Sequence, residues 1–397
     1  MTEPETAIRQ VPVDRSIGVG SSVLADARSA ALQATEQAIG PLEPKLLVVL
    51  ASSRIDQEAL LGGIREAARG VPMIGCTTSG EISGGGPAHS GVVVMAIGGD
   101  GFSIATGIGE IEGDDLRGAA ARAARCASEV EDRESKVLLL LSDGLAGDQQ
   151  EVVRGAYQQV GATLPLVGGC AGDDMEMEQT FQYFGDRVVR RSVVAAAISS
   201  DAPIGIGVNH GWQPVGVPMV VTESEGVVVH RLDDKPALDV YLDRFDAPAD
   251  VRSDPAAFTR FAETRPLGLS RRSGDEIRFV ATANFEQRSI QCFAEVPQGG
   301  TCSIMNGDAE SILQATEDAC GEALAPLDGS EPTGMLVFDC IARKGVLGDE
   351  GIEREVGRIS SHSRGAPVAG FYTYGEIARV SGATGFHNQT LVVLALG

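Results

Sequence analysis

The sequence has no apolar run of the roughly 18 residues that a membrane-spanning helix needs, so no such helix is expected. It has no C-x-x-C pair either. Its seven cysteines, an odd number, stand apart at 76, 126, 170, 292, 302, 320 and 340. That spacing argues against a disulfide framework or a closed zinc site and for buried free thiols in a reducing cytosol. Positive charge is scarce, with 32 Lys and Arg against 55 Asp and Glu and a net charge of −23. Such a surface repels phosphate backbones and anionic lipid, so neither nucleic acid nor membrane is expected as a partner. The start, "MTEPETAIRQ", is acidic and polar and lacks the apolar core that follows basic residues in a secretion signal, which leads us to expect a cytoplasmic protein.

What is present is an ordinary globular composition, 43% hydrophobic and 22% charged over 397 residues, enough for two or three domains. One unit is written three times. "KLLVVL" (45–50) leads to Asp56 as a helix cap, an apolar stripe at Leu60 and Ile64, then "VPMIG" (71–75) and "GVVVMAI" (91–97). "VLLLL" (137–141), Asp148, "LPLVGGCAGD" (164–173) and "VVAAAI" (193–198) repeat that order, as do "GMLVF" (334–338), Asp349, "PVAG" (367–370) and "LVVLAL" (391–396). Alanine-rich amphipathic helices at 25–39, 114–129 and 308–323 precede the copies, with short strands "SIGVG", "TGIGEI" and "TCSIMN" before them. The fold class expected is α/β: repeated strand–helix–strand–helix–strand–strand units in layered mixed sheets, because unbroken apolar strands need cover on both faces. The second copy carries a hairpin, "FQYFGDRVVRRS", with a turn at Gly185-Asp186. About a hundred extra residues, roughly 213–307, form an α+β insertion before the third unit, with a linker-like stretch at 246–258.

Of three glycine pairs, Gly18/Gly20, Gly107/Gly109 and Gly205/Gly207, the first two sit just before a helix like half of a dinucleotide loop, but the third glycine is missing, and their recurrence in two copies favours a packing role. More informative are two loops that align without a gap, "PMIGCTTSGE" (72–81) and "PVAGFYTYGE" (367–376). Their glycines permit close backbone approach, their threonines offer hydroxyls, and Glu81 and Glu376 could accept an ammonium group. Loops of this kind fall at carboxyl ends of strands, where open α/β sheets bind ligands. The alternative is that threonine and glutamate satisfy only the turn's own backbone. Cys76, Cys170 and Cys340 sit at strand ends where a nucleophile is conceivable, although an inert thiol is the commoner case. His210 and His387 could each ligate haem or be hydrogen-bonded core histidines. Arg343 could clamp a carboxylate or make a structural ion pair.

"GCTTSGEI", "GGCAGDD", "IGIGVNHGWQPVG", "VTESEG" and "KPALDVYLD" together resemble the FIST N domain. "FDCIARK", "PVAGFYTYGEIA" and "FHNQTLVVLAL" resemble the FIST C domain. The resemblance implies FIST N over 12–225, holding two units, and FIST C over 226–397, holding the insertion and the third. It implies a sensory module of signal transduction that binds a small ligand, such as an amino acid or similar polar metabolite. The output would pass to a separate partner, such as a histidine kinase or a cyclic-di-GMP enzyme. The expected ligand-binding residues are Cys76, Thr77, Thr78, Gly80, Glu81, Arg343, Thr373, Gly375, Glu376 and Asn388, with no catalytic or metal-ligating set. Two alternatives accompany this reading. One is a haem-binding nitric oxide sensor with His210 or His387 as axial ligand, the other an enzyme using Cys76 or Cys340.

Overall fold

A computed structural model describes residues 14–397 except 89, 272–273 and 381–384, so the N-terminal decapeptide lies outside the described residues. The first unit runs β1 (Ser16–Ser22), α1 (Ala27–Ile39), β2 (Pro44–Ser52), α2 (Gln57–Ala67), β3 (Met73–Thr78), a short hairpin β4 (Glu81–Ser83) and β5 (Gly86–Ala88), then β6 (Val92–Gly98). The second repeats it as β7 (Phe102–Glu110), α3 (Leu116–Ala123), β8 (Ser135–Ser142), α4 (Gln150–Val160), β9 (Leu166–Cys170), hairpin β10 (Gln182–Phe184) and β11 (Arg187–Val189), and β12 (Ser192–Ser200). The third opens with β13 (Ile204–Asn209) and is then interrupted. The insertion holds β14 (Gln213–Glu225), β15 (Val228–Leu232), β16 (Lys235–Pro236), α5 (Ala237–Arg244), α6 (Pro255–Ala262), β17 (Leu267–Arg271) and β18 (Gly274–Arg278). It ends with β19 (Val280–Asn284), β20 (Ser289–Cys292) and β21 (Thr301–Asn306). The unit resumes with α7 (Ala309–Leu324), β22 (Gly334–Cys340), α8 (Ile341–His362), β23 (Val368–Thr373), hairpin β24 (Glu376–Arg379) and β25 (Phe386–His387), and β26 (Leu391–Leu396).

The layered mixed sheets expected from the repeats are present. Each unit builds a sheet of identical order, β1-β6-β2-β3, β7-β12-β8-β9 and β13-β26-β22-β23, with one parallel pair in each. Two strands then complete every sheet from a different unit. Hairpin β4–β5 of the first unit pairs with β23 of the third, β24–β25 of the third with β9 of the second, and β10–β11 of the second with β3 of the first. The exchange closes a ring. Backbone bonds repeat it around the loops: Ser79 N–H donates to the Tyr372 carbonyl (3.0 Å), Tyr374 to Cys170 (3.2 Å) and Gly172 to Thr77 (3.0 Å).

Alternation along the strands divides their side chains between two cores, which is why they read as unbroken apolar runs. Leu46, Val48 and Leu50, Val137, Leu139 and Leu141, and Leu336 and Phe338 meet in one central core between the sheets. Leu47 and Val49, Leu138 and Leu140, and Met335 and Val337 face outward under the helices.

Three details differ from the sequence reading. The first strand of the third unit is "IGIGVN", whereas "TCSIMN" is β21 of the insertion, which therefore enters between β13 and α7. A hairpin occurs in every copy, not the second alone. The stretch 246–258 is partly helical, since Asp254 caps α6 by accepting the Ala256 N–H at 3.0 Å. With the first strand of the third unit in its observed place, the glycine pairs fall into register. A Cβ at Gly18, Gly20, Gly107, Gly109, Gly205 or Gly207 would fall on a carbonyl oxygen of the covering helix, so all three pairs seat a helix on a strand.

Candidate ligand-binding site

In both twin loops the glutamate is held by its own surroundings. Thr78 donates its hydroxyl to Glu81 Oε1 at 2.5 Å, and the Gly91 N–H donates to Oε2 at 3.0 Å. Thr373 and the Thr390 N–H hold Glu376 in the same way, at 2.5 and 3.2 Å. Gln182 occupies the matching place in the second unit, accepting the Ser192 N–H on Oε1 at 3.3 Å. Each of these three residues therefore pins an exchanged hairpin to the strand that follows it. Burial is the main force on both carboxyls, pushing Glu81 up to about 7 and Glu376 up to about 8 against the bonds that favour the anion.

Cys76, Thr77, Thr78, Glu81, Thr373 and Glu376 are fully buried, and Gly80 and Gly375 are buried beside them. The twin loops do meet, through the backbone ring described above, but they meet as packed structure. Arg343 is likewise enclosed. It pairs with Asp339 at 2.7 Å and Glu355 at 2.5 Å, and donates to Thr316 Oγ1 at 3.0 Å. Burial and the neighbouring Glu355 push the Asp339 carboxyl well up despite Arg343, so two carboxyls crowd one guanidinium.

Asn388 is the member of the expected set that lines a cavity. This cavity, of about 420 Å³, lies at the carboxyl end of β22, where the insertion faces the core. Cys340 and Ile341 at the junction of β22 and α8, Phe279 and Phe293 of the insertion, and Met175 and Met177 of the segment after β9, its lip, all line it. In the third unit, helix follows β22 directly; left-handed Gly348 breaks it before Asp349, the cap expected from the sequence. The first two units have a loop there, so the extra turns Ile341–Leu347 are what give the cavity its wall. The lip is a taut segment. Asp174, Met175 and Met177 all have positive φ, and Asp173 holds the segment by accepting the N–H groups of Met177, Glu178 and Gln179 at 2.8–3.0 Å.

The polar groups at this cavity are Lys344, Asp349, Glu263, Tyr374 and Asn388. Lys344 donates to the Ser79 carbonyl at 3.0 Å and lies over the Tyr372 ring. Asn388 is 2% exposed, and its Oδ1 has no partner among the described residues. Cys340 touches the cavity, but burial raises its thiol well above the usual range, as it does that of Cys76, and pushes Cys170 up to about 12. Lys344, Phe279, Phe293 and the two methionines escaped the sequence reading. "FDCIARK" and the adjacent methionines in "DDMEME" were the available signals, yet neither shows what it will face.

His210 and His387 come together at a second hollow, of about 500 Å³. His210 Nδ1 accepts the Trp212 N–H at 3.0 Å, and burial lowers this ring to about 4. His387 Nε2 bonds the Ala378 carbonyl at 3.1 Å. Asp275, Glu276 and Glu322 also line this hollow. Ile206, Val208 and Val380 line it too, but Asp275 and Glu322 would repel the acidic groups that haem carries, and His387 Nε2 is already bonded, so these residues do not fit haem.

Family models match most of the chain: the FIST N domain over residues 45–235 and the FIST C domain over 237–379. An uncharacterised protein of Mycobacterium tuberculosis (H37Rv) is 26% identical over 393 residues, covering 94% of this chain and 97% of that protein. An uncharacterised protein of Methanocaldococcus jannaschii is 24% identical over 190 residues, 46% of this chain, and the match spans 36% of that longer relative. Among solved structures, a cyanuric acid hydrolase from A. caulinodans aligns over 47% of this chain and 71% of its own, with 11% identity and a TM-score of 0.28. Another cyanuric acid hydrolase aligns over 96% of this chain and 100% of its own, with 11% identity and a TM-score of 0.33. Scores this low carry no argument about activity.

Proposed function

We propose a function from one premise: the chain belongs to the FIST family, whose domains are associated with sensing in signal transduction. On this reading the protein binds a small metabolite in the cavity between the insertion and the third unit, and a separate signalling protein, such as a histidine kinase or a cyclic-di-GMP enzyme, reads the result. One observation carries it. The cavity joins apolar walls to a few convergent polar groups at a strand's carboxyl end, with the buried Asn388 amide oxygen unpaired. Its volume suits an amino acid or a molecule of similar size. Phe279 and Phe293 would cover the apolar part, and Asn388 and the rim charges would orient the polar end.

Because the cavity has one wall on the insertion and another on the core, a ligand touching both favours the arrangement in which they are close. The change in population is limited by the ligand's difference in affinity for the two states. The taut lip at 174–177 is the segment best placed to close over it.

A thermal-shift screen of amino acids, amines and organic acids tests the site. A ligand at about 100 times its dissociation constant stabilises by about 2.7 kcal/mol. Gly345 lines the cavity, is exposed, and has open space where a side chain would stand. Gly345→Trp should therefore fill the cavity and abolish the ligand's stabilisation while leaving the unliganded melting temperature nearly unchanged. Equal stabilisation of parent and variant would place the ligand elsewhere and end the proposal.

A further inference from the structure

We infer that the head group recognised in this cavity is an organic cation, an amine or ammonium attached to an apolar body. This deepens the proposed function and rests on it. The charges at the cavity are Glu263, Asp349 and Lys344, two acids and one base. The base is already engaged, with its ammonium on the Ser79 carbonyl at 3.0 Å and over the Tyr372 ring at 5.0 Å. Glu263 and Asp349 are exposed at the rim and make no ion pair among the described residues. On the lip, Asp174 and Glu176 add negative charge, answered in part by Arg54 at 3.2 and 3.3 Å.

The walls point the same way. Phe279 and Phe293, with ring centroids 5.9 Å apart and planes inclined at 51°, supply aromatic surface beside these acids. Such surface attracts a cation through the negative faces of the rings, and Tyr374 adds a third ring to the lining. Asn388, nine-tenths buried and more, lines the cavity, and its carboxamide oxygen has no hydrogen-bond partner among the described residues. A carboxylate head would instead meet two acids against the single charge of Lys344, which is turned to the Ser79 carbonyl. The net charge of −23 raises the local concentration of cations further.

Three compounds with one phenethyl body separate the possibilities: phenethylamine, 2-phenylethanol and 3-phenylpropionate, titrated calorimetrically against the full chain at pH 7 and low salt. The amine is expected to bind at least tenfold more tightly than the alcohol, and the propionate most weakly. The Glu263→Gln, Asp349→Asn double variant, both positions being exposed, should lose most of that preference and keep its melting temperature. Added salt should weaken the amine and leave the alcohol unaffected. If the propionate binds as tightly as the amine, or the double variant keeps the preference, the inference is overturned while the cavity remains a ligand site. If none of the three binds and Gly345→Trp changes no ligand response, both the inference and the cavity reading fall together.

Discussion

Gln182 holds in the second unit the position that Glu81 and Glu376 hold in the first and third, and it makes the same bond to the following strand. A neutral amide is thus enough to pin a hairpin, which sets up a test of the two buried acids. Their folded values, about 7 and about 8, lie above the ordinary 4.5, so the folded state keeps protons that the unfolded chain releases. The resulting stability is complete below about pH 4.5 and is lost as pH rises through 7 and 8. In a Glu81→Gln, Glu376→Gln double variant the decline should vanish. Between about pH 7 and 8.5, above the range in which the buried His210 titrates in the unfolded chain, the variant's urea midpoint should hold steady where the parent's falls, and should exceed it. Each tenfold difference in proton affinity between folded and unfolded chain is worth about 1.4 kcal/mol, and the gain at high pH reads that difference directly. Parallel pH profiles for parent and variant would show that these acids titrate normally. Both glutamates were legible as a matched pair, but their role was not. A Thr-x-Gly-Glu loop has the same spelling whether it bonds its own turn or a ligand, and only burial separates the two.

Among the elements, the lip at 174–177 and the broken helix α8 define the candidate site. Positive φ at Asp174, Met175 and Met177 is unfavourable for side chains other than glycine, so something must hold the segment in place. Asp173 does so with three backbone N–H groups and the Tyr374 hydroxyl. Asp173→Ala should release the lip while the sheets stay intact. Hydrogen exchange at residues 174–180 should quicken by roughly tenfold or more, with protection in β8 and β9 unchanged. Uniform loss of protection would mean that Asp173 supports the whole fold. Strands and helices of the three units were readable from period and composition, because burial on both faces leaves unbroken apolar runs. The cavity was not. Its walls come from residues about 175, 279, 293 and 344, which no local pattern relates to one another.

At the scale of the whole molecule, the exchange of hairpins makes the three units one cooperative body. The first unit lacks the edge of its sheet without β10–β11, the second without β24–β25, and the third without β4–β5. A fragment ending at residue 203 keeps two units but leaves β9 an open edge and strands β4–β5 without their partner. It should show no cooperative urea transition and should aggregate through the exposed edge. A two-state transition in that fragment with a midpoint near the parent's would show that the ring is dispensable. The FIST N and FIST C matches meet between residues 235 and 237, inside the insertion, whereas the third unit begins at Ile204. The family's two-part division and the structure's three-unit division thus fall at different places in the chain.

By itself the sequence determined the repeat, most of its strand and helix order, the Asp56 cap, the negative charge and the family, because each is written in local period, composition or short motifs. Tertiary structure decided which unit completes which sheet, that the twin glutamates and Arg343 face protein, and that Asn388 faces a cavity. Those outcomes depend on residues up to about three hundred positions apart meeting in space. Residues that share one spelling were separated only by what the fold packed against each.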